Sequence, residues 1–489
     1  MKALRKWLKE NRTLALPVTL VVLLTGLFAS TLPYLDGNID FVQSMDFFEG
    51  GFDQLIANWA SIHPPFKVLL GSTAIKLFGV SHIIYNLIGI TISIIGVVFA
   101  YLLGSRLFSK KVGLIFALLI STSPLYLSLS LFWLKDFVLA VVLLATLFLY
   151  LEKRYLLLGF TLMLAVMIKE QGLALAGAVI ATELLFGIYQ LLTQIIKRKK
   201  LKLKANYKKL LILLPFLVFI AWQSFLSSNG SKVWGDWIFT NNPEIGAIAT
   251  VINNLVSLDF LNQWAFQNWN QLLILNFNWV LWGIFLTGPI LYLWTAKRGQ
   301  KRNIVAAVKA GDQKIRVFAA MLLFFLGYFL TVLTFQTYTI TRYGLPLIPI
   351  LLLGVAYTTY MIIEKSTFFG WMVKIILPLI VLTSLFSSSD PVSKKLWGTT
   401  SIFEQELYAV NEHLAGNDGL TYNLQFLQIA KQRSESIFDA HREQTPVYSQ
   451  ECYWVFADPN NDVRTLAWLG LDGIQNGMDC QVPATQSTQ

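Results

Sequence analysis

Asp36 is a carboxylate four residues beyond a long apolar run, in Tyr34-Leu35-Asp36-Gly37-Asn38-Ile39-Asp40. Three more ionisable clusters sit beside apolar runs: Lys135-Asp136, Lys169-Glu170 and Arg342-Tyr343. Ionisable residues at membrane depth cost about 2.5 kcal/mol or more each on insertion scales, so they face a cavity or one another. A positioned carboxylate can take a proton from a hydroxyl, an effect worth roughly 10²–10⁴-fold in rate. Fixed cations in a low-dielectric site steady a developing anion. Ordinary interfacial charge, with long side chains reaching out to water, would account for any one cluster. Four clusters of mixed sign, all assigned below to one face, favour a shared polar cavity.

The elements that must position these residues are membrane helices. The 489-residue chain is 55% hydrophobic and only 14% charged, with mean hydropathy +0.56. A soluble domain carries about 25% charged residues. The deficit, with repeated near-spanning apolar runs, predicts a polytopic all-α membrane protein. Eleven spans are expected, near 13–33, 82–104, 111–130, 134–151, 154–169, 171–195, 209–227, 271–295, 317–335, 344–363 and 369–387. Several are shorter than the roughly 20 residues of a perpendicular span, which suits helices bordering a cavity.

The formal net charge of +11 does not imply nucleic acid, because most Lys and Arg fall in short loops. Basic residues follow spans two, four, six and eight: Arg106, Lys110 and Lys111; Lys153 and Arg154; Lys197 to Lys209; Lys297 to Arg316. With the basic N-terminus, all lie on one side of an eleven-span path, which makes that side the cytoplasm. The first run is read as a retained helix rather than a cleaved signal peptide. The expected location is a prokaryotic plasma membrane, with the N-terminus cytoplasmic and the tail outside.

The outer face then holds the unusual material. It carries a first loop, 34–81, a long loop, 228–270, and a tail, 388–489, beyond a membrane domain of residues 1–387. In the first loop Phe41, Met45, Phe48 and Phe52 recur at helical spacing, and Pro65 suits the start of a second interfacial helix. Trp397, Tyr408, Tyr453 and Trp454 give the tail something to bury, so it is expected to form a small α/β or α+β domain. Its Cys452 and Cys480, placed outside the cytoplasm, suit a disulfide. Trp234 and Trp237 in the long loop suit membrane anchors or a cover over the acceptor side. The cytoplasmic loops carry no Gly-rich phosphate cradle.

An Asp fourteen residues before Gly50-Gly51, then His63-Pro64-Pro65, resembles the first loop of the GT-C membrane glycosyltransferases. The nearest relatives would be protein O-mannosyltransferases and lipid A aminoarabinose transferases. Lys169-Glu170 and Arg342-Tyr343-Gly344-Leu345-Pro346 with Pro349 are similar to later motifs of that family. The resemblance spans roughly residues 13 to 363. There is one departure: the family commonly has Asp-Glu at the catalytic position, and here Gly37 follows Asp36.

The resemblance implies a GT-C-like fold. It also implies inverting transfer of a sugar from a polyprenyl-phosphate donor, at the outer face, to a protein, lipid or envelope-glycan hydroxyl. Asp36 is then the candidate base. Lys169, Arg342 and Tyr343 are candidates for the donor phosphate. Glu170 would orient Lys169 or Arg342, Asp136 and His63 would hydrogen-bond sugar or acceptor, and Asp40 is a supporting carboxylate. No cofactor is specified. A divalent metal stays open, although His63 and His82 do not form a ligand spacing. The alternative function is a lipid or solute transporter, which predicts midplane polar residues, broken helices and an inverted repeat.

Overall fold

The structure, a computed structural model, describes residues 11–27, 29, 40, 41, 43, 44, 47, 48, 51, 64–79, 82–131, 133–196, 207–228, 256–258, 279–295, 312–335, 341–365 and 367–386. Among them the regular elements are all helical. They are α1 (Ala15–Gly26), α2 (Phe66–Phe78), α3 (His82–Leu107), α4 (Lys110–Ser121), α5 (Pro124–Leu131), α6 (Lys135–Leu151) and α7 (Tyr155–Ile168). After these come α8 (Gly172–Ile196), α9 (Leu214–Ser228), α10 (Trp279–Thr295), α11 (Gln313–Phe335), α12 (Ile348–Lys365) and α13 (Thr367–Phe386). Short 3₁₀ turns stand at Arg12–Leu14, Tyr207–Leu213 and Thr341–Gly344.

Each of the eleven apolar segments overlaps at least one of these helices. Among the described residues, five helices are long and apolar enough to cross a membrane: Ile83–Leu107, Gly172–Ile196, Lys208–Leu226, Gln313–Leu330 and Ile348–Lys365. The segment 111–130, expected as one straight span, is instead two helices, α4 and α5, bent by 59°. The cause is local. Pro124 cannot continue an α-helix from the preceding turn. The hydroxyls of Ser121 and Thr122 both donate to the Leu118 carbonyl, at 2.9 and 2.7 Å, and so compete with backbone bonding where α4 ends.

The pair Pro64-Pro65 precedes α2, as its sequence suggests, with Pro65 at the capping position. Residues 40, 41, 43, 44, 47 and 48 are helical. Asp36, His63, Trp234, Trp237, both cysteines and the whole tail 388–489 lie outside the described residues.

Helix α6 is the centre of the bundle. Fifteen of its 17 residues are buried, as expected of a helix apolar all round. It packs against α3 and α7, with α11 along another flank, while α8 packs on α11 and α7. Backbones approach closely where side chains are small: a Cβ on Gly104 of α3 would lie 2.9 Å from the Gly113 Cα of α4. Charge is confined to the two ends of α6, at Lys135-Asp136 and beside Tyr150.

Candidate active site

The chain reaches α6 through a strained corner. Trp133 has φ 35, a genuine outlier for a bulky residue, and its side chain is wholly buried. Its N–H donates to the Ser130 carbonyl at 3.1 Å, and Leu134 N–H donates to the Leu129 carbonyl at 3.2 Å. Gly89 of α3 lies against this corner, where any Cβ would run into the Ser130 carbonyl. The corner leaves Lys135 and Asp136 in the first turn of α6, at 9% and 3% exposure.

Two ion-pair groups meet at these adjacent residues. The first centres on Asp40, which is completely buried. Lys67 Nζ of α2 lies 2.7 Å from its Oδ2, and Lys135 Nζ lies 2.8 Å from its Oδ1. Lys67 also sits over the rings of Trp133, at 5.1 Å, and Tyr85, at 5.7 Å. Ring faces stabilise a desolvated ammonium. Burial would raise the Asp40 pKa; the fields and hydrogen bonds of Lys135 and Lys67 outweigh it and hold the group at about 2.

The second group centres on Asp136. Lys169 Nζ lies 2.7 Å from its Oδ1, and Arg342 Nε lies 4.0 Å from its Oδ2. Lys169 is presented by the tight turn between α7 and α8. Its backbone is extended, with φ −156 and ψ 138, and its N–H donates to the Ala165 carbonyl at 3.1 Å. Gly172 closes that turn, its N–H donating to the Lys169 carbonyl at 2.8 Å. Its lack of a side chain matters, because a Cβ there would collide with Ala165. Arg342 stands in the 3₁₀ turn Thr341–Gly344 before α12. The Tyr343 ring underlies both cations, 4.6 Å from Lys169 Nζ and 5.6 Å from the Arg342 guanidinium. Tyr328 of α11 fixes that turn by donating its hydroxyl to the Tyr343 carbonyl at 3.0 Å.

Of the residues singled out from sequence, the structure thus brings together Asp40, Asp136, Lys169, Arg342 and Tyr343. Glu170 is 3% exposed, next to Lys169. The carboxylate that Lys169 meets is Asp136. Asp36 and His63 lie outside the described residues. Lys67 was missed, although a lysine inside the apolar stretch Phe66-Lys67-Val68-Leu69-Leu70 is a signal in itself. Among the described residues, no group of three or more His, Cys, Asp or Glu is placed to hold a metal ion.

A second buried group lies at the other end of α6, and sequence reading passed over it. Glu183 of α8 accepts from the Tyr150 hydroxyl on Oε1 at 2.7 Å. Its Oε2 pairs with Lys209 and, at 2.9 Å, with Arg316 of α11. Arg316 also stacks on Phe186, 4.7 Å from its ring centre.

The family described as dolichyl-phosphate-mannose-protein mannosyltransferase matches residues 62–225. That segment is less than half of the chain, and it includes Lys67, Lys135, Asp136, Lys169 and Glu170. The chain therefore resembles the GT-C glycosyltransferases, as its motifs imply. Among solved structures, ArnT from Cupriavidus metallidurans bound to undecaprenyl phosphate is similar at 15% identity and TM-score 0.47, covering 95% of this chain and 75% of that one. Its apo form is similar at 16% identity and TM-score 0.47, with coverage of 97% and 76%. The archaeal oligosaccharyltransferase AglB from Archaeoglobus fulgidus, in complex with an inhibitory peptide and a dolichol-phosphate, is similar at 14% identity and TM-score 0.45. There the match covers 86% of this chain and 60% of that one. No curated protein sequence matches the chain.

Proposed function

We propose that this chain is an inverting glycosyltransferase that moves a sugar from a polyprenyl-phosphate donor to an acceptor hydroxyl at the outer membrane face. The observation that carries the reading is the group around Asp136. Lys169 and Arg342 come from distant parts of the chain and converge on one carboxylate and one tyrosine ring at a single end of the bundle. The family match over residues 62–225 supports the same reading.

In this mechanism Asp36 takes the proton of the acceptor hydroxyl. The hydroxyl oxygen attacks the anomeric carbon from the face opposite the phosphate. The bond from that carbon to the phosphate oxygen breaks, and its electron pair leaves with the polyprenyl phosphate. That leaving group is already a good anion, so it needs cations rather than a general acid. Arg342 and Lys169 supply them where the low dielectric makes fixed charge most effective. Asp136 holds both cations in place, Tyr343 backs them, and Asp40 ties the first loop to α2 and α6. Glu170 orients Lys169 or Arg342, and His63 hydrogen-bonds sugar or acceptor. The acceptor is a protein, a lipid or an envelope glycan.

The test is mass spectrometry of membrane glycoconjugates from cells with and without the chain. A glycoform that disappears without the chain, and returns with it, is the expected result; identical glycoconjugates would remove the proposal. The bend between α4 and α5 is the one observation on the side of a transporter, which would use a broken helix. Movement of a lipid or solute across proteoliposomes, without sugar transfer, would establish that second reading instead.

A further inference from the structure

Each of the two central carboxylates is shared by two cations, and the two are not equivalent. Asp40 has Lys67 at 1% side-chain exposure and Lys135 at 10%. Asp136 has Lys169 at 5% and Arg342 at 11%. In each case the deeper lysine sits 2.7 Å from its carboxylate and lies over an aromatic ring. One lysine per carboxylate already neutralises it. Lys135 and Arg342 are the more accessible members of the group, and Lys135 is the chain neighbour of Asp136, the carboxylate that Arg342 approaches.

Two lysines on the single charge of buried Asp40 leave local positive charge that an incoming anion can meet. Lys135 also opens α6, where Leu134 provides no side-chain cap. The positive end of the helix dipole therefore adds to its field.

We propose that Lys135 is a further phosphate-binding residue, acting with Arg342 on the single negative charge of a lipid-linked phosphodiester or on the phosphate it leaves behind. The assignment rests on the function proposed above. Asp40 is the internal competitor that holds Lys135 when no anion is present, and Lys67 remains to balance Asp40 when Lys135 turns to the ligand. Lys67 itself is confined between Asp40 and two rings and stays in place.

The experiment measures binding of undecaprenyl phosphate, undecaprenol and inorganic phosphate to the purified full chain and two variants. Lys135→Gln is expected to weaken undecaprenyl phosphate about tenfold or more and to leave undecaprenol unchanged. Asp40→Asn, which releases Lys135 from its competitor, is expected to tighten undecaprenyl phosphate several-fold. Inorganic phosphate that displaces the lipid, with the same dependence on Lys135, agrees with a headgroup site. Wild-type affinity of Lys135→Gln for undecaprenyl phosphate, or an equal loss for undecaprenol, overturns the assignment. So does a dependence on Lys135 confined to inorganic phosphate. If Lys135→Gln does not fold, Asp40→Asn decides alone, and unchanged or weaker lipid binding overturns the assignment. A wild-type chain that binds undecaprenol as tightly as undecaprenyl phosphate removes the donor reading itself, which is a separate outcome.

Discussion

The two ends of α6 both carry buried charge, but they dispose of it differently. Beside Tyr150 the carboxylate Glu183 has a hydroxyl on one oxygen and two cations on the other, and one of those cations, Lys209, is 37% exposed. That exposure leaves the Lys209 ammonium open to water. At Lys135 and Asp136, the six side chains of the two ion-pair groups are exposed by 11% or less. Among the described residues, none of these side chains is as exposed as Lys209. On the proposed function, exposure separates a structural clamp from an anion site; the ratio of cations to carboxylates does not, being two to one around each central carboxylate. The same helices build both ends: α6 supplies Asp136 and Tyr150, and α11 supplies Tyr328 and Arg316. At about 1.5 Å per residue, the two groups stand roughly 20 Å apart along α6.

The largest effect separating them should come from the central carboxylates. Asp136→Leu leaves Lys169 buried without its counter-charge, a loss of about 3–5 kcal/mol in stability, and should abolish sugar transfer in whatever fraction folds. Glu183→Gln should lower thermal stability and leave transfer per folded molecule unchanged. Transfer assays normalised to folded protein check the pair, and an equal loss of turnover in both variants breaks the distinction.

Next in size are the arginines. Arg342→Gln should weaken donor binding about tenfold or more, by removing a charge-assisted contact with phosphate. Arg316→Gln should alter melting temperature but not donor affinity. Titration with a lipid-phosphate ligand compares the two.

A pH series sharpens the account of Asp40. Its folded pKa, about 2, lies below the usual carboxylate value, so folding favours the ionised form. The associated stabilisation, about 2 kcal/mol, is fully present above roughly pH 4. It is lost as pH falls through about 2. The stability gap between the wild-type chain and Asp40→Asn should be flat from neutral pH down to about 4 and shrink below that. A gap that instead narrows between pH 7 and 5 contradicts the pairing. The smallest effect belongs to Lys111 and Glu364, a pair 72% and 40% exposed. Lys111→Ala should leave the melting temperature unchanged.

Much of the frame was legible in sequence, because membrane helices declare themselves by composition and length. The Lys135-Asp136, Lys169-Glu170 and Arg342-Tyr343 clusters were legible as costly charges at the ends of apolar runs. Their pairing was not, since nothing in the chain says that Lys169 meets Asp136, 33 residues away. Lys67 and Glu183 were overlooked because each is a single charge within an apolar stretch that still reads as a helix. Burial among partners from other helices makes such a residue tolerable, and that is a tertiary fact. The bend at Ser121–Pro124 was signalled by its proline, but the apolar run around it was long enough to be taken as one span.

The central claim is sugar transfer from a lipid-linked phosphate with Asp36 as the base, and single-turnover transfer by Asp36→Asn tests it most directly. The variant is expected to bind undecaprenyl phosphate like the wild type while transfer falls roughly 10²–10⁴-fold. A purified Asp36→Asn chain that transfers sugar at the wild-type rate would contradict it.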